Sequence, residues 1–238
     1  MKTFSMNDFH FKQFSIKHSS DVMKVGTDGV LIGAFVKPEN AKYILDIGTG
    51  SGLISLMLAQ KSKANIVGID VNKHSVELAN YNFAESKWSE RLKAECSFLQ
   101  QYVPSNKLDI IVSNPPFYNT DVYAPNQSRA IARHSTTLKY DDILIFCKKY
   151  LSETGKSYLI YPVDTANEMI DKARDSGLFA NVELNIKSNY QSEVIRKIVC
   201  ISKSRNIIDS KTICIEKEKR HDFTPEYIEL TKDYYLKF

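Results

Sequence analysis

The sequence has no apolar run long enough to cross a membrane. Its stretch Val30-Leu-Ile-Gly-Ala-Phe-Val36 falls far short of the roughly twenty residues that a spanning helix needs. Residues 1–14 interleave Lys2, Asn7, Asp8, His10 and Lys12 with apolar neighbours, so no secretory apolar core forms and a cytoplasmic protein is expected. The four cysteines, Cys96, Cys147, Cys200 and Cys214, never make a Cys-x-x-Cys pair, which argues against structural zinc, and no metal is expected. All but Cys214 sit inside apolar-rich patterns and read as buried free thiols. No linker, repeat or low-complexity tract divides the chain. Its 238 residues, 43% hydrophobic and 25% charged, read as one α/β domain over 1–238, with residues 1–40 as an N-terminal extension packed beside the sheet. A monomer is expected. The net charge of +4 and pI near 8.7 are compatible with a nucleic-acid partner without requiring one.

Strands and helices alternate. Residues 42–48 and 64–70 are short apolar runs, and 53–60 and 72–86 between and after them carry helix formers, with Val76, Leu78, Ala79 and Phe83 as inward positions. That β-α-β order implies a parallel sheet. A weaker strand is expected at 93–99, another at 107–113, a helix at 141–152 capped by Gly155, a strand at 157–161 and a helix at 164–176 ending at Gly177. Residues 181–187 and 196–202 read as an antiparallel pair, and 224–236 as a closing helix. In the extension, 9–16 suggest a small hairpin, and Thr27 is the expected N-cap of a helix over 27–36.

Two motifs carry chemistry. The strand at 107–113 runs into Asn114-Pro115-Pro116-Phe117. Two adjacent prolines cannot donate to a sheet ladder, so the strand stops with Asn114 at its carboxyl end, where open α/β sheets bind ligands. The Asn114 amide oxygen and the Pro115 carbonyl can accept the two hydrogens of an NH2 group on a planar molecule, whose ring can stack on Phe117. The second motif is Asp46-x-Gly48-x-Gly50-x-Gly52, between a strand and a helix. Glycines there let a ligand approach the free N–H groups of the helix start. A dinucleotide fingerprint would place its third glycine at 53, where Leu53 stands, so another nucleoside ligand is favoured. Asp46 is placed to take a ligand ammonium through water or backbone, and Asp70, ending the next strand, to accept both ribose hydroxyls.

Together these residues resemble the class I S-adenosylmethionine-dependent methyltransferases with an Asn-Pro-Pro-aromatic motif. Within that class, Phe11-Lys-Gln-Phe14, Met23-Lys-Val-Gly-Thr-Asp-Gly29, residues 45–58, Trp88, Ala130-Ile-Ala-Arg-His134 and the closing Tyr234-Tyr235-Leu236 are similar to the family of bacterial tRNA1(Val) adenine-37 N6-methyltransferases. The resemblance implies a Rossmann-like fold, a mostly parallel twisted sheet with an antiparallel C-terminal strand pair. It implies S-adenosylmethionine as cofactor and the anticodon loop of a tRNA as partner. Catalysis would rest on Asn114, Pro115 and Phe117. The cofactor would be held by Thr27, Asp46, Gly48, Gly50, Gly52, Asp70, Phe98 and Asn114, with Asp28 beside Thr27 over its methionine end. Phe98 stands where this class often has a carboxylate or amide for the cofactor adenine. It can stack but cannot accept the amino hydrogens, so a backbone carbonyl or Gln100 must do so.

RNA phosphates are expected at Lys24, Arg129, Arg133 and His134, with Lys12, Lys17 and His18 as further candidates. Rival readings of the same motifs are a methyltransferase of protein glutamine, of rRNA guanine or of DNA adenine, and a nucleoside-binding module without catalysis.

Overall fold

A computed structural model of the chain describes residues 8–19, 22–115, 138–205 and 210–238. The elements follow in the order β1 (Phe9–His10), β2 (Ser15–Ile16), α1 (Thr27–Phe35), β3 (Tyr43–Ile47), α2 (Leu53–Lys61), β4 (Asn65–Asp70), α3 (Lys73–Ala84), β5 (Leu92–Cys96) and β6 (Leu108–Ser113). After these come α4 (Tyr140–Tyr150), β7 (Leu151–Tyr161), α5 (Val163–Asp175), β8 (Phe179–Lys187), β9 (Val194–Ser202), β10 (Lys211–Cys214) and α6 (Pro225–Thr231). β1 and β2 pair as the expected small hairpin. The other described strands form one eight-stranded sheet, β10-β8-β9-β7-β6-β3-β4-β5, parallel throughout except where β9 runs antiparallel between β7 and β8.

The central strands are apolar on both faces because both faces are covered. Ile44, Ile110, Ile160 and Ile198 face one core with α1, α2, α3 and the hairpin; Leu45, Ile111, Leu159 and Val199 face the other with α4 and α5. The four inward positions expected on α3 are all buried. The hairpin is tied to the far end of the chain: Phe11 bridges to Tyr235, and its ring stacks on that of Tyr235 at 5.8 Å.

Four expectations fail locally, and one strand was not expected. Gly155 does not cap a helix. α4 ends at Tyr150 and β7 starts at once, with an irregularity between Leu108 and Ile110 of β6 that loops out the strand around Gly155, where a Cβ would meet the Leu108 carbonyl oxygen at 2.6 Å. Thr27 is not an N-cap: it is the first helical residue, Gly26 holds the cap position, and no side chain caps the end. Cys96 is exposed, since β5 is an edge strand and ends there. The last helix stops at Thr231, five residues early, because Lys232 to Phe238 turn back to pack their rings on Phe223 and Tyr227. β10 was not foreseen; among the described residues its four positions pair only with β8, and its short pattern carries no periodicity to read.

Candidate active site

Sheet register brings the motifs together. Ile47 pairs with Ser113 and with Ile69, so β3, β4 and β6 finish side by side, and the buried Ser113 hydroxyl donates to the Ile47 carbonyl at 2.7 Å. The glycine turn leaves β3, Asp70 ends β4 and Asn114 follows β6, all on one edge of the sheet.

The turn is left-handed at three places: Gly48, Gly50 and Gly52 have φ of +72°, +55° and +84°, values that strain any residue with a Cβ. At Gly52 space forbids a side chain as well, since a Cβ would lie 2.5 Å from Phe83 of α3. At Gly48 a Cβ would meet none of the described residues within 4 Å, so these leave room over the turn. Asn82 ties the turn down from α3, donating to the Ser51 carbonyl at 2.8 Å while accepting the Lys17 N–H at 3.0 Å.

Asp46 lies beneath the turn, fully buried. Its Oδ2 accepts from the hydroxyls of Thr49 (2.9 Å) and Ser55 (2.8 Å), and its Oδ1 has no partner. Burial pushes its carboxyl up to about 6 against the pull of these hydrogen bonds, and the charge of Asp70 adds to the rise. Asp70 accepts the Gly50 N–H at 3.0 Å and the Asn72 N–H at 2.8 Å, and burial raises its pKa too. Each Asp70 oxygen takes one of these bonds and keeps a lone pair for a ligand hydroxyl.

Asn114 is half-buried and Pro115 buried. A Cβ on Gly29 would come within 3.8 Å of Asn114 Nδ2, which places the amide against the first turn of α1. Thr27 is exposed on that turn, and Asp28 pairs with Arg196 of β9 at 3.0 Å. Phe98 lies beyond the end of β5 rather than on it. It is 37% exposed, and Val71, just past Asp70, is 48% exposed, so two apolar side chains border the edge beside Asp70.

Residues 10–151 match the family model of the methyltransferase small domain. The chain belongs to that family. A protein of Trichodesmium erythraeum (strain IMS101) named tRNA1(Val) (adenine(37)-N6)-methyltransferase is 41% identical over 237 residues, covering 98% of this chain and 99% of the relative. Proteins of the same name from Flavobacterium johnsoniae and Pseudoalteromonas translucida are 37% and 34% identical, over 96% and 98% of this chain and 99% and 100% of their own lengths. Among solved structures, a predicted O-methyltransferase from Agrobacterium tumefaciens aligns with a TM-score of 0.66 at 18% identity, over 87% of this chain and 96% of that one. A methyltransferase from Pyrococcus furiosus aligns at 0.59 and 18% identity, over 81% and 90%. The methyltransferase fold is therefore shown both by the sheet order and by its likeness to these structures.

Of the residues expected in this methyltransferase's site, the structure gathers Asp46, Gly48, Gly50, Gly52, Asp70, Asn114 and Pro115 at one edge, with α1's first turn beside Asn114. Phe117, Arg129, Arg133 and His134 lie outside the described residues. Of the basic candidates, Lys24 is exposed ahead of α1. Lys12 donates instead to the carbonyls of Lys232 and Phe238, and Lys17 to the Tyr81 hydroxyl at 2.9 Å. Burial, and then the charge of Lys24, lower the pKa of His18, which makes it a weak phosphate ligand at neutral pH. Among the described residues no cluster of three His, Cys, Asp or Glu side chains could hold a metal, and no helix is long and apolar enough to cross a membrane.

Sequence reading passed over the turn's supports. Thr49 and Ser55 hold Asp46, and Gly68 of β4 makes room for Thr49, since a Cβ there would lie 2.6 Å from the threonine hydroxyl oxygen. One signal was present for Asn82: an amide on the apolar stripe of α3, beside Leu78, Ala79 and Phe83.

Proposed function

We propose that this protein transfers a methyl group from S-adenosylmethionine to the N6 amino group of an adenine in tRNA, adenine 37 beside the anticodon of tRNA1(Val), in the cytoplasm. The observation that carries the reading is the meeting of Asn114, the Gly48–Gly52 turn and Asp70 on one sheet edge, in a chain that matches relatives named for that reaction along nearly its whole length.

The residues fit the cofactor. The room that the described residues leave over Gly48 and the unpartnered Oδ1 of Asp46 suit a ligand bearing an ammonium, and the free lone pairs of Asp70 suit ribose hydroxyls. Val71 and Phe98 offer apolar faces for its adenine, whose amino group then turns to a backbone carbonyl or Gln100. When bound, the cofactor supplies an electrophilic methyl group on a sulfonium.

The chain's own part is to present the amine. The lone pair of an adenine amino nitrogen is delocalised into the ring and attacks poorly. The Asn114 amide oxygen and the Pro115 carbonyl accept its two hydrogens, draw them out of the ring plane and aim the lone pair. Holding that alignment supplies much of the rate. Phe117 stacks the base once it is out of the loop, which is inexpensive because anticodon loops are already partly unstacked. The nitrogen's surplus proton leaves after transfer, so the site needs no strong base.

The test is transfer of labelled methyl to RNA and protein from cells lacking this enzyme, followed by nucleoside and amino-acid analysis. Label in N6-methyladenosine of tRNA is expected; label in glutamine or guanosine sinks the proposal. With Asn114→Ala, transfer falls by about a hundredfold or more while cofactor affinity, which rests mainly on the glycine turn and Asp70, is largely retained. Asp70→Ala weakens cofactor binding, and unchanged affinity removes its ribose role.

A further inference from the structure

The active edge extends well beyond the glycine turn. β8 runs in the same direction as β7 and β6, so its carboxyl end at Lys187 lies on the same side as Asn114, together with the start of β9 and the end of β10. In the sheet order β8 is three strands from β6, about 15 Å at roughly 4.8 Å per strand.

Two ordered connections rise there. In the loop 188–193, Asn189 Oδ1 accepts the N–H groups of Gln191 (3.0 Å) and Ser192 (2.9 Å) and so shapes the tip that presents Tyr190, which is 52% exposed. Lys187 Nζ donates to the Tyr190 carbonyl at 3.3 Å. The second connection, 216–223, continues the sheet. The N–H groups of Ile215 and Glu216 bind the carbonyls of Lys187 (3.0 Å) and Ser188 (2.9 Å), and Lys217 N–H binds the Asp222 carbonyl at 2.8 Å. Its turn forces His221 to φ +66°, a conformation uncommon outside glycine, and Glu216 Oε1 steadies it by accepting the His221 N–H at 2.7 Å. Asp222 is engaged by Lys217 at 3.0 Å. Two of the hairpin's three carboxylates are thus occupied inside it, leaving Glu218 against exposed Lys219 and Arg220 at the tip. Between this surface and Asn114 the Asp28–Arg196 pair ties β9 to the first turn of α1.

We propose that Tyr190, with Lys219 and Arg220, is a second docking surface for the RNA strand that carries the target adenine, Lys187 serving to brace the loop that presents Tyr190. The Tyr190 ring stacks an unpaired base and the cations take the adjoining phosphates, the combination used to hold single strands without sequence preference. The assignment rests on the RNA substrate proposed above.

The experiment measures methyl transfer by the full chain to unmodified tRNA from cells lacking the enzyme, with equilibrium binding of the same tRNA over a range of salt. Tyr190→Ala is expected to raise KM for tRNA about tenfold with kcat little changed, and Tyr190→Phe to restore it, because stacking needs only the ring. Lys219→Glu combined with Arg220→Glu is expected to weaken binding at least about tenfold and to reduce the salt slope by about 1.5. Lys63→Glu, exposed on the opposite edge ahead of β4, is the control and should match wild type. If wild type methylates tRNA and the Tyr190 and Lys219/Arg220 variants bind and turn it over as wild type does, this surface is wrong and the reaction stands. If wild type transfers nothing to tRNA, both readings fall.

Discussion

Asp46→Asn tests whether the glycine turn rests on a strained acid. In the folded chain the Asp46 carboxyl is pushed up to about 6, whereas an unfolded chain gives an aspartate near 4. Between these values the folded state holds a proton that the unfolded state has lost, so stability falls as pH rises through the window and levels off above it. About two pKa units at about 1.4 kcal/mol each make the loss about 3 kcal/mol. Asparagine keeps an oxygen for Thr49 and Ser55 but does not titrate. It adds a fixed penalty of about 1–3 kcal/mol for a buried NH2 without acceptors, the same at every pH. Urea unfolding of both proteins at pH values from 4 to 8 separates the two effects. Relative to wild type, the variant should gain about 2 kcal/mol between pH 4 and pH 7, since at pH 4 the unfolded carboxyl is already half ionised. Parallel curves would refute the reasoning, because they would mean that the two hydroxyls and the backbone offset burial completely.

Two further substitutions probe the supports of the site. Gly68→Ala sets a methyl 2.6 to 2.9 Å from the Oγ1, Cβ and Cγ2 atoms of Thr49, and should cost about 1–3 kcal/mol in urea unfolding, less than additively with Thr49→Gly, which removes the clashing atoms. Lys61→Ala deletes the donor that binds the carbonyls of Gly33, Ala34 and Val36 at the C-terminus of α1, and should lower stability by about 2–4 kcal/mol. Because α1 starts beside Asn114, the same variant should loosen the first turn, read as faster amide exchange at Val30 and Leu31.

The parallel core was legible because strands covered on both faces must be apolar throughout, and Tyr43–Ile47, Asn65–Asp70 and Leu108–Ser113 stand out from polar surroundings for that reason. The candidate ligand edge was legible because its geometry requires particular residue types: glycine suits the left-handed turn at 48, 50 and 52, and Pro115 cannot extend the β6 ladder. Gly155 was misread because a glycine before a strand looks like a helix cap until the carbonyl of Leu108 is seen against it. Lys12 and Lys17 looked like phosphate ligands because a sequence shows charge and not the distant carbonyl or hydroxyl that engages it.

By itself, then, the sequence pointed to the proposed chemistry: an amide and a proline carbonyl suited to an NH2 group, and a glycine turn with a carboxylate twenty-four residues beyond Asp46 suited to a nucleoside cofactor. Such demands are local, met by one residue type at one backbone geometry. Only the tertiary structure decided which groups lie beside them. Register set Ser113 against Ile47, burial left Asp46 Oδ1 without a partner, and strand order carried Tyr190, Lys219 and Arg220 to the edge that holds Asn114. Residues sixty-six positions apart, Ile47 and Ser113, meet there through sheet pairing, and no spacing along the chain records which strands will pair.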